Sequence, residues 1–151
     1  MTFPRSYNLD AALQLHNNGQ QTVTGAGVVD GGAKIVDLGS ETANFSGILL
    51  VNIDDIEVGD GDENYAFALQ ASNEPDLSGE RVVVARAEFG SSATMGGTNQ
   101  DTEPGRYEIP FFNSLNGKPY RYLRLEVTVT GTVDTGIDYF ARIGLANAHV
   151  R

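Results

Sequence analysis

The chain has 151 residues, which suits one compact domain with a hydrophobic core of its own. It contains no cysteine, which excludes disulfide bridges, thiolate zinc sites and cysteine nucleophiles. The net charge is −10 and the excess acids all lie in residues 1–100, so a nucleic acid or an anionic membrane, which proteins bind through clustered lysine and arginine, is not an expected partner.

The N-terminal part of the chain shows little of the pattern that a core requires. Residues 9–15 place three apolar side chains on one helical face, which predicts at most two helical turns. Residues 1–8 and 16–32 are mostly polar. We therefore expect residues 1–32 to form an arm and loop that pack on the domain or on neighbouring molecules. A short strand is predicted at 33–38.

From residue 45 onwards the apolar residues recur with a period of two, which is typical of β-strands. Residues 45–53 are apolar on both faces, which predicts a strand buried in the middle of a sandwich. Pro110 cannot donate to a strand ladder, so the strand that contains it is expected at a sheet edge or to end there. The further predicted strands are 65–71, 81–87, 106–112, 120–130 and 137–145.

Turn-forming residues separate nearly all of these runs. They are Asn18-Gly19, Gly31-Gly32, Gly59-Asp60-Gly61, Ser78-Gly79, Gly96-Gly97, Asn116-Gly117 and Gly131. About seven or eight strands with short connections predict an all-β fold, either a jelly roll or another antiparallel β-sandwich. We expect a single domain that spans residues 1–151.

The most conspicuous polar cluster is acidic and contains no base. Its members are Asp54, Asp55, Glu57, Asp60, Asp62 and Glu63. The spacing after Asp60 resembles the opening of a calcium loop, but Tyr65 replaces the turn glycine and Ala71 replaces the closing glutamate. The sequence therefore favours a solvated loop between two strands over a calcium site, and we assign no metal ligand.

No set of residues has the pattern of a catalytic centre. The two histidines, His16 and His149, lie near opposite ends of the chain, and no serine stands in a Gly-x-Ser-x-Gly elbow. Neither a phosphate loop nor a dinucleotide fingerprint is complete. We expect no catalytic residue, no cofactor and no enzymatic activity. No apolar run has the length of an export signal or a membrane helix.

The segment 120–124 mixes tyrosine with arginine, two residue types that are enriched at protein interfaces. Strict alternation predicts that Tyr120, Tyr122 and Arg124 share the polar face of their strand. That face either packs across strands against nearby acids or contacts another subunit. The complete set of candidate interface residues is Phe3, Arg5, Tyr7, Tyr120, Tyr122 and Arg124.

Three regions spread over most of the chain carry a family resemblance. They are residues 8–13 running into 20–24, residues 34–39 followed by 69–74, and residues 119–125 with the strand after them. None of them is specific alone. Together they resemble the Bbp16-like family of tailed-phage capsid cement proteins, which are also called decoration proteins.

This resemblance implies a jelly roll that assembles as a homotrimer on the outside of a phage capsid. Its partners would be the major capsid protein, whose subunits it bridges, and further copies of itself. It would be made in the host bacterial cytoplasm and reside on the virion. The alternative is a carbohydrate-binding or receptor-binding β-sandwich domain of a phage virion. Its six tyrosines would stack on sugars, although tryptophan, the best stacking residue, is absent.

Overall fold

The computed structural model describes residues 7–8, 11–96 and 99–146 and is built almost entirely from strands. The strands are β1 (Tyr7–Asn8), β2 (Gln14–Gln21), β3 (Gly25–Ala26), β4 (Val28–Val29), β5 (Gly32–Ala33), β6 (Val36–Asp37), β7 (Ser46–Ile56), β8 (Asn64–Ser72), β9 (Val82–Gly90), β10 (Gly105–Phe112), β11 (Ser114–Leu115), β12 (Lys118–Pro119), β13 (Tyr122–Thr130) and β14 (Ile137–Ala146). Short 3-10 helices lie at Ala11–Leu13 and Ser92–Thr94. In these ranges no helix is long and apolar enough to cross a membrane.

Two antiparallel sheets form the sandwich. In the first sheet, β1 and β2 pair with the same edge of β14, which is followed by β7 and β10. In the second sheet, β3 and β6 pair with the same edge of β13, which is followed by β8 and β9. Two small hairpins, β4–β5 and β11–β12, lie in the connections.

The strand order is that of a jelly roll. If β1 with β2 and β3 with β6 are each counted as one interrupted strand, eight strands remain in the two sheets, and consecutive strands lie in opposite sheets except for the hairpin β8–β9. The predicted fold class is therefore confirmed. The strand 106–112 is also an edge strand, as Pro110 predicted, because among the described strands β10 pairs with β7 alone.

The core lies between the two sheets and is made by alternate residues of the long strands. In β8 and β13 these positions are almost completely buried while their neighbours are partly or fully exposed. The central strand β7 is buried on both faces, since Ile48 and Leu50 are also covered. The strands predicted at 45–53, 65–71, 81–87, 120–130 and 137–145 are all present, with ends that differ by a few residues.

The prediction of a polar arm and loop was wrong for residues 16–32. Within the described part of 9–15, only Ala11–Leu13 is helical, and it is a single 3-10 turn that leads directly into β2. Residues 16–32 are not a separate arm, since they supply strands to both sheets. Polar residues hide the strand pattern because His16 and Gln21 occupy buried positions that apolar residues usually fill.

The turn residues act in two different ways. Asn116 and Gly117 both have positive φ, as a tight type I′ hairpin turn requires, and they join β11 to β12. Gly19 instead lies within β2, where its φ of 77° accompanies an irregular register against β14. The prediction of a turn at Asn18-Gly19 was therefore wrong, because the glycine serves a bulge. The strand predicted at 33–38 is divided into β5 and β6.

Candidate functional site

The outer face of the second sheet consists of the residues of β8, β9 and β13 that point away from the core. Its members include Ala66, Ala68, Gln70, Val83, Arg86, Glu88, Tyr122, Arg124, Glu126 and Thr128. They are half-buried or exposed, whereas the residues between them form the core. The centre of the face is flat because alanines occupy two adjacent outward positions of β8.

Arg124 is held across two strands of this face. It stands opposite Gln70, and its Nη2 and Nε atoms donate to Gln70 Oε1 at 2.8 and 3.3 Å. The guanidinium is therefore positioned before any partner arrives, which reduces the entropy that binding would cost.

Tyr122 is supported by a neighbouring ion pair. The guanidinium of Arg121 lies 5.2 Å from the centre of the Tyr122 ring and donates to both carboxylate oxygens of Asp37, at 2.7 and 3.1 Å. The hydrogen bond from Arg121 holds the pKa of Asp37 below its ordinary value, so the pair stays charged at neutral pH. Tyr122 and Arg124 thus share one ordered, outward-facing surface, as the sequence predicts.

The placement of Tyr120 on that face was wrong. Its side chain is only 4% exposed and belongs to the core cluster. The alternation does not extend back to residue 120, because residues 118–119 pair with 114–115 and β13 begins at Tyr122. Asn113 fixes this geometry, since it accepts the backbone N–H of Tyr120 and donates from Nδ2 to its carbonyl oxygen, both at 2.8 Å.

The remaining interface candidates lie in the N-terminal segment. Phe3 and Arg5 fall outside the described residues. Tyr7 contributes backbone to β1, where it stands opposite Ala146 of β14. Tyr7 and Asn8 are therefore joined to the first sheet, on the opposite side of the sandwich from the outer face of the second sheet.

The acids of residues 54–63 are divided between solvent and structure. Asp54, Asp55 and Asp60 are exposed. Glu57 instead accepts the backbone N–H groups of residues 134–136, with a shortest distance of 2.8 Å to each. Hydrogen bonds from Gly136 and Asp134 hold the pKa of Glu57 below its ordinary value. This carboxylate therefore fixes the loop between β13 and β14.

Glu63 is completely buried and closes its own loop. Its carboxylate accepts the N–H groups of Asp60 and Asp62 at 3.0 and 2.9 Å and the hydroxyl of Ser91 at 2.9 Å. Burial alone would raise the pKa of Glu63, but these hydrogen bonds outweigh it and keep the pKa below its ordinary value. The prediction of a solvated acidic loop was wrong for this residue, because local N–H donors replace its water.

One group of acids has the spacing of a cation site. Among the described residues, Glu57, Asp60 and Glu63 each place a carboxylate oxygen within 4.8 Å of the others. Carboxylate oxygens are the ligands that calcium prefers. The oxygens of Glu57 and Glu63, however, already point at backbone N–H donors. The contacts therefore explain these two acids by the loops they hold, and no ion is needed to account for their positions.

Sequence reasoning missed a polar network inside the sandwich. His16 stacks on Tyr139 with ring centres 4.0 Å apart, and its Nδ1 accepts the N–H of Val28 at 3.1 Å. Its Nε2 lies 3.0 Å from the carbonyl oxygen of Gly19, which makes Nε2 the protonated nitrogen. Burial lowers the pKa of His16, so the ring is neutral at neutral pH. The only sequence signal was a histidine next to Leu15 in an otherwise polar segment.

The sequence matches no protein-family model and no curated protein. The surfaces of the molecule are therefore the guide to its function. Of these, the outer face of the second sheet carries the residue types and the fixed geometry typical of an interface.

Proposed function

We propose that the protein is a capsid cement protein of a tailed phage. In this proposal it binds the outside of the capsid as a homotrimer and bridges subunits of the major capsid protein. The observation that carries the proposal is the ordered pair of Tyr122 and Arg124 on the outer face of the second sheet. Tyrosine and arginine dominate the binding energy of many protein interfaces, and here both are held in place without a partner.

The charge of this face supports contact with another protein. Arg86 and Arg124 balance Glu88 and Glu126, so the face is neutral in a chain whose net charge is −10. Copies of so acidic a chain repel one another across most surfaces, and a neutral face removes that penalty locally. A cyclic trimer requires two different patches to meet, so this face would contact another part of the next subunit.

The rigidity of the sandwich suits a bridging role. In the part of the chain that the structure describes, every buried side-chain nitrogen and oxygen atom has a hydrogen-bond partner. A rigid trimer presents several capsid contacts at fixed spacing, and the second and third contacts then form at a high effective concentration. Modest individual contacts are therefore sufficient for stable attachment.

The test measures mass and capsid attachment together. Light scattering should give about three times the chain mass of 16.1 kDa, and the protein should sediment with purified capsid shells. The double variant Tyr122→Ala/Arg124→Ala should lose the trimer or the attachment. Thr128→Ala, an exposed change on the same face of β13, is the matched control and should lose neither.

The opposite results reject the proposal. A wild-type chain that is monomeric and stays in the supernatant in the presence of shells is not a cement protein of those shells. Binding to a glycan array together with failure to bind shells would favour the carbohydrate-binding alternative. A chain that begins at residue 7 lacks Phe3 and Arg5 but keeps every described strand. Its sedimentation with capsid shells therefore tests whether these two residues contribute to attachment.

A further inference from the structure

A groove lies at the side of the sandwich where the edge strands β9 and β10 come together. Its volume is about 520 Å³. Its floor is apolar and consists of Phe89, Met95 and Tyr107, with the Phe89 and Tyr107 rings 4.9 Å apart. Phe89 is buried whereas Tyr107 and Met95 are half-exposed, so a ligand in the groove would meet an aromatic ring and a thioether.

Hydrogen bonds hold the wall of this groove in place. Gly90 at the end of β9 and Thr102 are joined twice, since the Thr102 N–H donates to the Gly90 carbonyl and the Gly90 N–H donates to Thr102 Oγ1, both at 2.9 Å. Asp101 Oδ1 accepts the N–H of Ser92 at 2.8 Å. The Tyr107 hydroxyl donates to the carbonyl oxygen of Glu103 at 2.6 Å. The groove is therefore formed before a ligand binds.

The rim of the groove is acidic. Glu88, Asp101 and Glu103 line it, and its described lining includes no lysine, arginine or histidine. A second hollow of about 410 Å³ shares Asp101 and Glu103 and adds an apolar wall of Ile56 and Val58. Within residues 7–8, 11–96 and 99–146, no basic side chain forms an ion pair with Glu88 or Glu103.

We propose that this groove binds an arginine side chain on a segment of a partner protein. A guanidinium is the cation that stacks on an aromatic ring and pairs with carboxylates in the same site, and its three-carbon stem packs on apolar groups. The floor and the rim of the groove supply these two kinds of contact. The groove shares Glu88 with the outer face of the second sheet, but neither Tyr122 nor Arg124 lines it, so the inference stands whether or not the protein is a cement protein.

The test uses a capped pentapeptide, Ala-Arg-Leu-Arg-Ala, and the same peptide with citrulline in place of each arginine. Citrulline keeps the shape of arginine without its charge. In NMR titrations the arginine peptide should shift the amide signals of residues around the groove, and affinity should fall at high salt. The double variant Asp101→Asn/Glu103→Gln should weaken binding about tenfold, the loss expected for charge-assisted hydrogen bonds.

The matched control is Asp76→Asn/Glu41→Gln, which changes the charge equally at exposed positions away from the groove and should bind as the wild type does. Asparagine at position 101 keeps the oxygen that accepts the Ser92 N–H, as it does at position 76 for Ser78, so both variants should fold. Equal binding of the citrulline peptide would overturn the inference. So would unchanged affinity in the groove variant, or salt-independent binding of a neutral oligosaccharide such as maltohexaose at the same residues.

Discussion

The clearest test of the loop structure is Glu63→Gln, because this buried carboxylate holds three donors with two oxygens. Oε1 accepts the Asp62 N–H and the Ser91 hydroxyl, and Oε2 accepts the Asp60 N–H. Glutamine keeps one oxygen for the first two donors. Its amide nitrogen then faces the N–H of Asp60, donor against donor. The variant therefore loses one charge-assisted hydrogen bond, leaves a donor without its acceptor and weakens the two bonds that remain.

The expected cost follows from these losses. A hydrogen bond to a charged group contributes about 1.5–3 kcal/mol, and an unsatisfied buried donor costs about 1–3 kcal/mol. Part of this is recovered because neutral glutamine is easier to bury than a carboxylate. We therefore expect Glu63→Gln to lower the free energy of unfolding by about 2–4 kcal/mol at pH 7.

The measurement is urea denaturation followed by far-ultraviolet circular dichroism, with the change taken from the midpoint at constant slope. Asp60→Asn, an exposed change in the same loop, is the control and should alter stability by less than about 0.5 kcal/mol. The pKa of Glu63 lies below its ordinary value of 4.5, so its contribution is complete above that pH and is lost as pH falls through the lower folded-state value. The difference between wild type and variant should shrink accordingly. A loss below about 0.5 kcal/mol at pH 7 would refute the structural role of this carboxylate.

Two further predictions concern the sandwich itself. Burial lowers the pKa of His16 from 6.5, so below about pH 6.5 the unfolded chain binds more protons than the folded chain, and the free energy of unfolding should fall by no more than about 1.4 kcal/mol per pH unit. Urea titrations should show this slope in the control variant His149→Gln but not in His16→Phe. A slope that persists in His16→Phe would assign the pH dependence to another group. Gly27→Ala should destabilise the fold by about 2 kcal/mol or more, because the added Cβ would overlap the carbonyl oxygen of Leu15. The Cβ of Gly32→Ala meets no atom within 4 Å, so this control variant should be nearly as stable as the wild type. Equal melting temperatures for the two variants would contradict the packing.

The sequence predicts the long strands well for a physical reason. In β8 and β13 a single face meets the core, so burial imposes a period of two on the residues themselves. In β7 burial on both faces imposes a continuous apolar run. Pro110 likewise indicates an edge position because it lacks an N–H. Each of these signals is local, and each was read correctly.

The sequence could not reveal features that depend on distant partners. His16 and Gln21 are buried against Tyr139, which is more than a hundred residues away in the chain. The Tyr139 ring stacks on His16, and its hydroxyl donates to Gln21. Tyr120 enters the core because Asn113 bonds its backbone across the β11–β12 hairpin, which interrupts the alternation. Glu63 appears identical to its exposed neighbours in a run of acids, and only the folded loop brings N–H donors to it.

The arrangement of the sheet edges has a consequence for aggregation. An exposed, regular edge strand invites pairing with another chain and open-ended growth into fibres. In the first sheet, the edge strand β10 carries a proline and the edge strand β2 contains a bulge. In the second sheet, the edge strand β9 has an irregular register against β8, and the opposite edge consists of β3 and β6, which have only two residues each. Crowded copies of this protein would meet through side chains rather than through backbone ladders, so we expect concentrated solutions to remain free of fibrils.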